Sequence, residues 1–175
     1  MKRFKSNILT AITLGLMVVF TSCSKDDGAI PKRIGIEDVP AVTTNLETGG
    51  TAATITFSNQ AAFSGKFRVA LYFADAVPPS KVDMVVRKNG SAANVKLYKA
   101  DVSSFPTSFT VTAAEIATLF GTSTLALNDT YDFAPDIYVG SKKYEAFPAS
   151  SLGNGQGVSG MSAIGFGEFV RFSVK

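Results

Sequence analysis

Between Thr51 and Val174, apolar residues recur at every second position in short runs, and most runs are closed by glycine, proline or asparagine. Side chains of a strand alternate between its two faces, so this period specifies strands with one face turned to a core. In 51–57, Ala53, Ile55 and Phe57 alternate with Thr54 and Thr56; in 67–73, Phe67, Val69, Leu71 and Phe73 alternate with Arg68, Ala70 and Tyr72. Val82, Met84 and Val86 mark a further strand with Asp83 and Arg87 on its other face. A chain written this way stacks its strands in layers.

The remaining signals fill in the order. Arg33 to Val39 reads as a first strand ended by Pro40, and Pro78-Pro79 blocks continuation of the second long run, because proline cannot donate to a ladder. Asn89-Gly90 suits a tight hairpin, since both residues tolerate positive φ; Ala93 to Ala100 is the expected return arm, with Val95 and Leu97 inward. Ser108 to Val111 runs into a helix signal: Thr112 and Glu115 at capping-box spacing, Ile116, Leu119 and Phe120 on one face, and Gly121 at the stop. Such a short helix reads as a crossover lid over one end of the sandwich. Tyr131, Phe133, Ile137 and Val139 point inward from the next strand, Gly140-Ser141 turns it, Lys142 to Phe147 returns, and Glu168 to Val174 is a last strand after a stretch rich in glycine and serine. The expectation is an all-β, antiparallel β-sandwich of seven to eight strands with one short crossover helix, covering residues 33–175.

Leu125, Asn128, Tyr131 and Phe133 resemble the turn into the penultimate strand of fibronectin type III and related immunoglobulin-like domains, with Asn128 where that family commonly has glycine. The resemblance implies an immunoglobulin-like sandwich in which the Tyr131 hydroxyl caps the corner.

The chain opens with Met1-Lys2-Arg3-Phe4-Lys5, an apolar run from Ile8 to Phe20, then Thr21-Ser22-Cys23. A basic start, a short apolar run and small residues before a cut make a secretory signal. The run is shorter than the roughly 20 residues a membrane span needs, so residues 1–22 read as a cleaved leader. Phe20-Thr21-Ser22-Cys23 resembles the lipobox of bacterial lipoproteins, with Phe20 where leucine is usual; the resemblance implies that Cys23 carries diacylglycerol and becomes the mature N-terminus. The alternative, ordinary cleavage with Cys23 left as a free thiol, does not explain a lone cysteine placed just behind the apolar run. Ser24-Lys25-Asp26-Asp27 resembles the outer-membrane sorting residue and acidic surface-export stretch of Bacteroidetes-type lipoproteins, and residues 23–32 read as a lipidated tether. As a whole the pattern is similar to the small immunoglobulin-like surface lipoproteins of those bacteria, some of which accompany glycan uptake.

Removal of the leader changes the composition. Of 17 basic residues, Lys2, Arg3 and Lys5 leave with it, and the remaining 14 match 14 acidic ones. A neutral chain without a basic cluster offers nucleic acid no electrostatic footprint. One cysteine and no histidine exclude disulfides, thiolate metal sites and the usual general base near neutral pH. No cofactor is expected, and an enzyme would have to run on carboxylates, lysine or tyrosine.

Three constellations are candidates for a site. If Gly140-Ser141 is a two-residue turn, Val139 pairs with Lys142, Tyr138 with Lys143, and Asp136 stands opposite Glu145, so Asp132, Asp136, Tyr138, Lys143 and Glu145 share the non-core face. Opposed like charges destabilise a sheet. Solvent screening aided by Lys143 accommodates them, or a calcium ion, a sugar hydroxyl array beside Tyr138, or a catalytic carboxylate pair. Gly153-Asn154-Gly155-Gln156-Gly157 lacks the helix start and lysine of a phosphate loop and reads as a surface or binding loop. Tyr72, Tyr98 and Tyr138, off the core parity, are either scattered or a stacking platform for sugars. The functional expectation is a non-enzymatic, surface-displayed lipoprotein that binds or assists, with glycan capture and uptake the setting. The alternative is a structural or adhesive subunit working through contacts with another protein, including an outer-membrane protein.

Overall fold

The structure is a computed structural model that describes residues 39–148 and 169–175; all lie in one compact unit. Among them the chain forms β1 (Val42–Leu46), β2 (Ala52–Ile55), β3 (Ser64–Leu71), β4 (Lys81–Lys88), β5 (Val95–Val102), β6 (Thr107–Thr112), helix α1 (Ala113–Leu119), β7 (Thr130–Val139), β8 (Lys142–Tyr144) and β9 (Val170–Val174). Short 3-10 turns occupy Phe57–Ala62 and Ala92–Asn94. The protein is all-β: a small sheet in the order β1-β3-β6 and a large one in the order β2-β9-β7-β4-β5, with β8 on β7.

The expected antiparallel sandwich of seven to eight strands needs correction. Nine strands are described, and β2 runs parallel to β9, with Ala52 beside Arg171 and Ile55 beside Val174. Period two specifies a face but no direction, and direction follows from which strands end up as neighbours. The expected first strand over Arg33–Val39 lies outside the described residues apart from Val39, which precedes β1. β1 itself comes after Pro40 and buries Thr44, whose hydroxyl is the one buried side-chain polar atom without a partner among the described residues.

The main core lies between the sheets. Phe67, Phe133 and Phe172 meet there, with ring centroids 5.3 Å apart for Phe67 and Phe133 and 5.7 Å for Phe133 and Phe172. Full burial of each such side chain stabilises by about 2–3 kcal/mol. Gly65 in β3 faces Phe63 and Phe172 so closely that a Cβ would stand 2.7–2.8 Å from their ring atoms. Only glycine lets these rings approach the strand.

A second apolar cluster covers the outer face of the large sheet: Val85, Ala134, Ala146 and Phe147, with Val95 and Phe169 against them. β4 and β7 are therefore buried on both faces, which is why Val82 to Val86 is almost continuously apolar rather than alternating.

Local signals explain the connections. Asn89 and Gly90 have φ of 52° and 68°, and the Ser91 N–H donates to the Lys88 carbonyl at 3.1 Å, closing the tight turn. The return strand then starts at Val95, after a 3-10 turn. The register sets Leu97 opposite Val85 and Val95 opposite Arg87, on the outer face: Tyr98 and Val102 pack on the main core, Val95 belongs to the outer cluster and Leu97 is 54% exposed. The inward placement of Val95 and Leu97 is thus corrected. Phe57 and Phe73 depart similarly, because β2 stops at Ile55 and β3 at Leu71, leaving both rings exposed beyond the strands.

At α1 the capping box is complete: the Glu115 N–H donates to the Thr112 hydroxyl, and the Thr112 N–H donates to the Glu115 carboxylate at 2.8 Å. Ile116 is buried in the main core, and α1 carries the chain from the small sheet at β6 to the large sheet at β7.

Candidate functional site

β7 positions the acidic residues that alternate with its core residues. Tyr131–Tyr138 pair with β4 on one edge; the other edge is shared by β9 at Thr130–Phe133 and β8 at Ile137–Val139. As expected, Val139 pairs with Lys142 and Tyr138 with Lys143, but β8 ends at Tyr144, before Glu145 can form a ladder pair with Asp136. Instead the Ala146 N–H donates to Asp136 Oδ1 at 2.8 Å, and Lys143 Nζ lies 2.8 Å from Asp136 Oδ2. Asp136 is only 4% exposed. The expectation of a solvent-screened carboxylate is corrected, because residues 145–147 fold back over this face.

Opposite Asp136 across the β4–β7 ladder stands Asp83. The two carboxylates are compensated in the same manner. Asp83 Oδ1 accepts the Asp101 N–H at 2.8 Å and lies 3.6 Å from Lys81 Nζ. Asp101 has a φ of 57° at the irregular end of β5, and its carboxylate accepts from Lys81 at 2.5 Å. Burial pushes the Asp83 carboxyl up, but the Asp101 N–H, the Tyr138 hydroxyl and Lys81 together hold it below its ordinary range. Lys143 is raised, first by its hydrogen bond to Asp136. Tyr138 is raised by burial and by the bond it makes to Asp83, and Lys81 sits 4.5 Å from its ring centroid.

These groups border a groove of about 460 Å³ on the outer face, lined by Asp83, Asp136, Lys143 and Glu145 among its polar residues and by Val95, Leu97 and Phe147 among its apolar ones. Three of the five residues singled out in the sequence therefore come together here. Tyr138 stands next to them through Asp83. Asp83, Lys81, Asp101 and Phe147 are the additions. Asp83 was visible as an outer-face residue, yet its opposition to Asp136 depends on the register of two strands distant in sequence.

Asp132 is separate. It has no exposed surface and is bound by Arg87 and Arg171, its register neighbours on β4 and β9. Arg87 Nη2 donates to Asp132 Oδ2 at 2.9 Å, and Arg171 donates from Nε to Oδ1 at 2.6 Å and from Nη2 to Oδ2 at 3.0 Å. The Arg87 guanidinium lies 4.1 Å from the Phe147 ring centroid and that of Arg171 lies 5.2 Å from Phe169. Enclosed by this ladder, Asp132 presents no exposed oxygen to a ligand.

Calcium finds little here, since both Asp136 oxygens are engaged, and among the described residues no three histidines, cysteines or carboxylates form a metal cluster. The tyrosines do not form a platform. Tyr98 packs against Phe133 in the main core at 5.2 Å, with its hydroxyl pushed up to about 12, first by burial and then by Glu115. Tyr72 stands beyond β3 and Tyr138 on the outer face. Cys23, Ser24, Lys25, Asp26, Asp27 and the loop Gly153 to Gly157 lie outside the described residues. No family model, no curated protein and no solved structure matches the chain. Among the described residues no helix is long and apolar enough to cross a membrane.

Proposed function

We propose that the chain is a lipid-anchored lipoprotein, held at the outer membrane through Cys23 and facing the cell exterior, whose immunoglobulin-like sandwich works as a non-enzymatic binding or accessory module. Support for the fold comes from the grouping of β1, β3 and β6 against β4, β5, β7 and β9, and from Tyr131 at the start of β7. In place of the backbone acceptor usual for that corner, the Tyr131 hydroxyl donates to Asp129 Oδ2 at 3.0 Å. Asp129 is itself held by Lys88 at 2.8 Å and by the Asn89 side chain at 2.8 Å, and Asn128 takes the positive φ of 69° that the turn needs.

The observation that carries the binding reading is the outer-face groove, whose lining combines apolar Val95, Leu97 and Phe147 with polar Lys143, Glu145, Asp83 and Asp136. Binding sites combine apolar walls with a few placed polar groups in this way. A glycan, with alternating apolar faces and hydroxyls, is the ligand class such a lining suits. Binding is favoured over hydrolysis because a catalytic carboxylate pair needs free oxygens facing the substrate, whereas both Asp136 oxygens are engaged, one by the Ala146 N–H and one by Lys143. The test is calorimetry of the purified protein against neutral and acidic oligosaccharides. Binding heat should appear, and Lys143→Ala should weaken it by about tenfold, as expected for one charged hydrogen-bonding contact. Absence of heat at millimolar concentration, together with a specific protein cross-linked on intact cells, would instead favour the adhesive reading.

A further inference from the structure

We propose that the loop 72–79, between β3 and β4, makes a second contact with the lipid surface beside the anchor at Cys23; this rests on the anchoring proposed above. Phe73 is 62% exposed and Val77 82%, with the Tyr72 ring edge-to-face on Phe73 at 4.6 Å. Asp75 is the one charged residue between Tyr72 and Pro79. The loop is built rather than loose. The Ala76 N–H donates to the Phe73 carbonyl at 3.0 Å, and the Ser80 N–H and hydroxyl both donate to the Tyr138 carbonyl, at 3.0 and 2.8 Å. Pro79 is buried at its base. This short, hydrogen-bonded loop presents Phe73 and Val77 together to the outside, apolar surface that a contacting partner can cover.

What covers them is indicated by where the loop stands. The Tyr72 N–H donates to the Ala41 carbonyl at 2.8 Å, and Val42 pairs with Leu71. The described chain therefore enters the domain beside the base of this loop. Residues 24–38 separate Cys23 from Val39, and the sixteen steps from one to the other reach no further than about 58 Å whatever their conformation. A lipid on Cys23 would hold this end of the sandwich close to the bilayer. Aromatic side chains favour the headgroup level, and tethering converts a weak surface contact into an intramolecular one. Phe57 and Leu127, also exposed, stand at the opposite end, next to Lys175 and Val174.

The chain has no tryptophan, so Phe73→Trp gives a single fluorescent reporter, with Val77→Trp as a second should the first fail to fold and Phe57→Trp as the far-end control. Each is tested as full-length lipidated protein in phosphatidylcholine vesicles with and without brominated acyl chains, with the mass of the Cys23 peptide measured in parallel. The expected result is blue-shifted emission and loss of intensity with brominated lipid at positions 73 and 77, and none at 57. Lipidated protein whose loop reporters stay unquenched overturns the loop contact and spares the anchor, whether the emission is that of water or, blue-shifted, that of a protein contact. A Cys23 peptide without lipid overturns both.

Discussion

Asp132 stands between two guanidiniums with no access to water, so its charge decides whether the outer face of the large sheet closes. Asp132→Asn leaves Arg87, itself largely buried, beside a neutral amide. Breaking one side of a buried ion pair costs about 3 kcal/mol, and urea unfolding should show a loss of that size. A change within about 0.5 kcal/mol would mean that the arginines find water instead. The sequence shows Arg87 and Asp132 at outward positions of their strands, but nothing local aligns them with Arg171. That alignment comes from the registers of β4 with β7 and β7 with β9, which join strands far apart in the chain. The same holds for Asp83 and Asp136. By contrast the pairing of Tyr138 with Lys143 was legible, because a two-residue turn fixes the register of adjacent strands.

At the scale of elements, legibility follows how local the determinant is. The capping box of Thr112 and Glu115, the turn at Asn89-Gly90 and the stop at Gly121, with a φ of 69°, are written in four or fewer consecutive residues and read directly. Strand ends are less local: Phe57 and Phe73 continue the alternation yet lie outside the ladders, since period two does not show where a partner strand stops. The face of β5 is set by its register with β4, which places Leu97 opposite outward-facing Val85, so Leu97 points out rather than in. α1 has seven residues and depends on its cap as well as on Ile116. Thr112→Ala should lower stability by about 1 kcal/mol, seen as a drop in thermal midpoint. An unchanged midpoint would show that packing alone holds the helix.

Across the whole molecule, charge is stored in buried pairs, and stability should fall on both sides of neutrality. Asp83 and Asp129 are held below the ordinary carboxylate range, although burial alone would raise them. The unfolded chain therefore takes up their protons first. Their contribution is present above about pH 4 and is lost as pH falls through the lower native values. Tyr131 is raised by burial and then by Asp129, and Tyr98 to about 12 by burial and Glu115. Their contribution is present below about pH 10, where unfolded tyrosine ionises, and declines as pH rises through the native values. Spectrophotometric titration should show these two of the five tyrosines ionising only together with unfolding. Ionisation of all five near pH 10 without unfolding would contradict their buried placement.

On the proposed function, a lipid at Cys23 is what would hold the domain at the membrane. Mass spectrometry of the N-terminal peptide of the mature protein tests it directly. The prediction is a peptide that begins at Cys23 and carries diacylglycerol. A peptide beginning elsewhere, or at Cys23 with an unmodified thiol, would contradict it.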